Sequence, residues 1–233
     1  MSSTSPEYQT VLESLLPPAC PHHVLSLPVL PRKPHIPAQT ICNLSLHPVL
    51  ESALHILNMD LPSAHFLLRH MQAAPASEAM YLHGLLHRIE GDLDNCRAWY
   101  GDVKDTEAFR WVWGGMDAEG AESADGQSES PTASADESHS RALAFLDKVE
   151  AYKNSLLSSK RSLKDGASKT SIPSEDELGE ISLREIRRML SFCDKKFGTT
   201  SVADASKIWV SMNEKHADKA AEMITGGEGW REF

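Results

Sequence analysis

Between residues 47 and 112, leucines, alanines and aromatics return every third or fourth position, the spacing that lines one face of a helix. Farther along, residues 140–158 place Leu143, Leu146, Val149 and Leu156 near the same spacing, and a polar gap then runs through Pro173. Ser182 and Glu185 form a capping-box pattern ahead of Leu183, Ile186, Leu190 and Phe197; Lys195 and Lys196 complement the carbonyl end, and Gly198 stops the helix. A third helix is expected over 202–224, ended by Gly226 and Gly227. No alternating pattern of strand type runs longer than a few residues, so the expected class is all-α.

Two stretches break the helical pattern. Residues 17–48 carry prolines too often for helix interiors, with leucines and valines between them. They predict an extended arm that packs over the helical core or offers a polyproline-like ligand. Residues 117–139 hold seven acids, no lysine or arginine, and almost nothing to bury, a composition that predicts a disordered acidic linker. The expected organisation is an arm over 1–46, a helical domain over 47–116, the linker over 117–139, and C-terminal helices over 140–233 that pack on the domain.

Inside the helical domain the sequence repeats. Setting His55 on His87 also sets Asp60 on Asp92, Leu61 on Leu93, and Ala64 on Cys96, at an offset of 32 residues. The second copy places Gly84 in its first helix, Gly91-Asp92 at the turn, Cys96 in its second helix, and Tyr100 at a large aromatic position. These positions resemble the tetratricopeptide repeat, whose period is 34 residues. The resemblance implies helical hairpins, with small residues letting the two axes approach and glycine reversing the chain. The copies depart from that pattern at His83 and His87, where the family carries a leucine and an aromatic, and at Ser52 and Met59, which replace the two glycines. The central segment and the ending "GGEGWREF" are also similar to a family of filamentous fungal proteins, a likeness that implies no activity.

Charge and cysteines narrow the partners. A formal charge of −10 works against nucleic acid or an anionic membrane, since binding either requires Lys and Arg to neutralise negative charge. Cys20, Cys42, Cys96 and Cys193 include no C-x-x-C pair, so neither a zinc ribbon nor a disulfide framework is expected. Reduced thiols, no apolar run of spanning length and an N-terminus unlike a secretory signal favour a cytoplasmic or nuclear protein. The expected partner is another protein, and no cofactor is expected.

Candidate chemistry centres on the helix of the second copy. At 100° per residue, His83, His87 and Glu90 fall within about a 60° arc beside Leu82, Leu86 and Ile89. Two imidazoles and a carboxylate suit a divalent metal, yet Gly84 stands where a zinc peptidase needs its glutamate base. With or without metal, His83 or His87 with Glu90 or Asp92 offers acid–base chemistry of a hydrolase or lyase. The same residues also read as a structural network. Tyr81 and Arg88 are the expected contacts of a binding groove. Trp111 and Trp113 offer an aromatic recognition surface or cap the last hairpin, and Trp230 and Phe233 a terminal docking motif or a fold-back. Arg184, Arg187, Arg188, Lys195 and Lys196 make one helix basic, while Cys96 is explained by packing. The leading expectation is a small interaction scaffold; the enzyme is the alternative.

Overall fold

Asp60 and Asp92 each end one helix and begin the next. In the computed structural model, which describes residues 4–16, 33–116, 133–161 and 174–210, the helices are α1 (Pro6–Leu15), α2 (Ala38–Cys42), α3 (Pro48–Leu57), α4 (Leu61–Arg69), α5 (Ser77–Glu90), α6 (Leu93–Val103), α7 (Glu107–Trp113), α8 (Ala135–Arg161) and α9 (Glu175–Phe197). No strand occurs among the described residues, and the fold is all-α. No helix among them is long and apolar enough to cross a membrane.

The two turns are built alike. At the end of α3, Met59 takes φ 59°, its N–H reaches the Ile56 carbonyl at 3.0 Å, and the Asp60 N–H reaches the His55 carbonyl at 3.0 Å. At the end of α5, Gly91 takes φ 84° and the same two bonds run from Gly91 to Arg88 and from Asp92 to His87, at 3.0 and 2.9 Å. Both are left-handed terminations that satisfy the last carbonyls of a helix. Each aspartate then caps the following helix, Asp60 accepting from the Ser63 N–H at 3.4 Å and Asp92 from the Asn95 N–H at 3.2 Å. The chain reverses, α3 packs on α4, and α5 packs on α6.

Gly84 sets how closely α5 and α6 approach. A Cβ at this position would lie 2.8 Å from the Trp99 Cβ and 3.0 Å from the Tyr100 ring, closer than side chains tolerate. In the first hairpin the matching residue is Ser52, buried, with its hydroxyl donating to the Pro48 carbonyl at 2.7 Å.

The C-terminal helices close over the second hairpin. α8 lies along α6 and α7, while α9 packs on α7 and α3, and residues from α1 through α9 share one apolar core. Arg97 of α6 reaches Asp147 at 2.9 Å and Glu150 at 2.6 Å on α8. Arg188 of α9 donates to the Trp111 carbonyl at 2.7 Å, complementing the last turn of α7.

Several expectations change here. α9 opens eight residues before Ser182, at a capping box made by Ser174 and Glu177, while its expected stop at Gly198 holds. The start of the third expected helix, residues 202–210, is not helical. Its Asp204 side chain accepts from the Ser206 N–H at 2.9 Å, a local turn that competes with helix. Backbone bonds from Val202 to Ser45 and from Val210 to His70 hold this segment against the first hairpin. The extended arm is interrupted by α1, capped by Ser5, and by α2, which starts directly after Pro37 where a fixed φ suits a first turn. The C-terminal end of the expected linker is already the first turn of α8. Residues 17–32, 117–132 and 211–233, with Trp230 and Phe233, lie outside the described residues.

Candidate functional site

Three groups of polar side chains lie close to the helical hairpins, and they differ in how solvent reaches them. The first joins the second hairpin to α9. The Tyr81 hydroxyl donates to Glu185 Oε1 at 2.8 Å, the Tyr100 hydroxyl donates to the same oxygen, and Arg88 pairs with Glu185 Oε2 while bonding Ser182 Oγ at 2.6 Å. Burial and the Glu185 charge push both phenols well above their ordinary value of 10, so they remain donors. All these side chains are buried, and the Arg88 guanidinium lies over the Phe145 ring at 4.9 Å. A sealed pair of this kind holds helices in register and meets no ligand. Tyr81 and Arg88 are therefore corrected from groove contacts to core residues. The Ser182 and Glu185 pair read as a helix start is half of this network.

The second group lies between the two hairpins. His65 on α4 and His83 on α5 bring their Nε2 atoms to 2.9 Å, and the His87 ring lies edge-on to His65 with centroids 5.3 Å apart. His83 is sandwiched, stacked on His87 at 4.8 Å and on Trp99 at 4.8 Å. Burial, then the neighbouring His65, His87 and Arg69, lower its pKa from 6.5 to about 2, so the ring stays neutral. Its Nδ1 is buried without a hydrogen-bond partner. Glu90 Oε2 approaches His87 Nδ1 to 3.2 Å, an ion-pair distance without hydrogen-bond alignment. Ring nitrogens of His65, His83 and His87 all lie within 4.8 Å of one another, the separation a single metal ion draws on.

The third group lines a recess of about 530 Å³ on the outer side of the first hairpin, bounded by Cys42, Glu51, His55, His65, Phe66 and Arg69 among others. Cys42 Sγ lies 3.9 Å from His55 Nε2, and His55 Nδ1 lies 3.2 Å from Asp60 Oδ2. Thiol, imidazole and carboxylate stand in the order of a nucleophilic triad. The electrostatics run the other way: burial and then Glu51 raise the Cys42 thiol, whereas a nucleophile needs a thiol held down. Asp60 is instead accounted for by its helix cap and by the negative charge it places beside His55.

The structure thus brings His83, His87 and Glu90 together and leaves Asp92 apart, exposed and capping α6. Sequence reasoning missed His65, which replaces Glu90 as the third metal-competent side chain. Its only sequence signal is a histidine on the helix that precedes α5. Trp113 is corrected to a core residue, tilted against Phe145 at 5.7 Å. Trp111 is half-buried under Lys195, whose Nζ is 4.5 Å from the ring centroid. Cys96 is fully buried with its thiol pushed up to about 12 by burial, an inert packing residue. Compared with known proteins, the chain matches no family model, no curated protein and no solved structure.

Proposed function

We propose that the protein is a small interaction scaffold, tetratricopeptide-like in its two hairpins, that receives a helix of a partner protein on the outer face of α4. One observation carries this reading: α4 keeps Phe66, a large apolar side chain, 64% exposed beside the recess. An exposed aromatic at the lip of an apolar recess is the usual anchor point for an amphipathic helix. The reading also moves the docking surface away from α5, where Tyr81 and Arg88 are sealed.

The test is comparative affinity capture from cell extract with the wild type and Phe66→Glu. Phe66 makes little of the core, so the variant keeps its helical circular dichroism and its melting temperature. The expected outcome is loss of at least one partner from the variant, by about tenfold or more for a central anchor. Equal recovery of every captured protein by a folded variant overturns the reading.

A further inference from the structure

We propose that His65, His83 and His87 form a binding site for one zinc-class divalent ion, bridging the two hairpins. The three imidazoles come from both hairpins, one from α4 and two from successive turns of α5, and their nitrogens already converge within 4.8 Å. Zinc bound at about 2.0–2.1 Å from each nitrogen spaces tetrahedral ligands about 3.4 Å apart. The 2.9 Å separation of His65 and His83 then opens by about half an ångström, a side-chain adjustment within the freedom of half-buried His65.

Two further observations point to a ligand. His83 is 2% exposed and held between the His87 and Trp99 rings, which keeps its Nε2 aimed at His65 before any ion binds. The Glu90 carboxylate lies 3.2 Å from His87 Nδ1 and adds negative charge beside the three rings, which favours a bound cation. Three imidazole ligands suit zinc, copper, nickel or iron far better than magnesium or calcium. His65 also lines the recess, so the ion has three protein ligands with solvent at hand for a fourth. Arg69 borders the same recess and adds positive charge, which Glu90 and an anionic fourth ligand such as hydroxide or a carboxylate offset.

The neighbouring Cys42, Glu51 and His55 also lie within 4.8 Å of one another, so the experiment separates the two clusters. Protein purified without a histidine tag and stripped by chelator is titrated with zinc chloride by calorimetry, and with cobalt(II) by visible absorption. One equivalent binds the wild type, the cobalt spectrum shows ligand-field bands with no thiolate charge-transfer band, and the melting temperature rises. His65→Ala, which leaves the buried rings in place and keeps wild-type circular dichroism, weakens zinc more than about 100-fold; Glu90→Gln weakens it about tenfold; Cys42→Ser leaves it unchanged. No binding to the wild type, or unchanged binding in His65→Ala, overturns the proposal. So does loss of zinc in Cys42→Ser together with a thiolate band, which would place the ion in the other cluster.

Discussion

The two hairpins share a turn and differ in what lies over them. Both reverse through a left-handed residue, Met59 or Gly91, and both restart on an aspartate cap. Yet the second hairpin is tied to α9 by a buried Arg88–Glu185 pair and to α8 by Arg97, whereas the first keeps an open recess and an exposed Phe66. The difference teaches that a turn motif determines where a chain reverses, and the residues at the outward positions determine whether a hairpin becomes core or surface. Position 97 is an arginine that α8 answers with two acids; the matching position 65 is a histidine turned to the cluster and the recess.

The harshest way to break the comparison is to unlock the second hairpin. Glu185→Ala leaves Arg88 charged and buried and deprives two tyrosine hydroxyls of their acceptor. The expected loss is about 3–5 kcal/mol, read as a lowered urea midpoint, while Phe66→Ala on the open hairpin stays within about 0.5 kcal/mol of wild type. A Glu185→Ala protein as stable as wild type would mean that the pair does not hold α9 down.

Next in size is Gly84→Ala. Alanine favours a helix over glycine by about 1 kcal/mol, but its methyl group would stand 2.8 Å from the Cβ of Trp99, which cannot swing away. The clash wins, and a net loss of about 1–3 kcal/mol is expected by urea denaturation. Ser52→Ala, at the matching place in the first hairpin, removes one hydroxyl already bonded within its own helix and stays near neutral. A stabilised Gly84→Ala would show that the second hairpin is no more tightly packed than the first.

What was legible in the sequence was local. The reversal at Gly91-Asp92, the repeat that pairs it with residue 60, and the stop at Gly198 are each made by a few adjacent residues. The start of α9 was misread because Ser174–Glu177 and Ser182–Glu185 present the same pattern, and only the packed helices decide which pair caps and which binds Arg88 and the tyrosines. Tyr81 and Arg88 were misread for a related reason. A helix covered on most of its circumference has no polar face to reveal, and α5 is covered by α3, α4, α6 and α7. His65 was out of reach because its meeting with His83 depends on how one hairpin docks on the other.

The smallest effect sharpens the comparison at the hairpins' first residues. α5 starts after Ala76, which gives it no side-chain cap, whereas α3 is capped by His47, whose Nδ1 accepts from the Val49 N–H at 3.3 Å while its ring stacks on Phe197 at 3.8 Å. Burial first lowers the His47 pKa below 6.5; Lys196 adds to this and Glu78 opposes it. A folded-state pKa below the unfolded value means that the unfolded chain binds more protons in the window beneath 6.5, so stability falls as pH falls through it. His83 and His139 are lowered too and give slopes of the same sign, so the informative quantity is a difference. The stability gap between wild type and His47→Asn, whose side chain caps without titrating in this range, is expected to narrow from pH 7.5 to 5.5, on the order of tenths in urea molarity. A gap that stays constant or widens would show that the imidazole at the head of the first hairpin contributes nothing that a proton can remove.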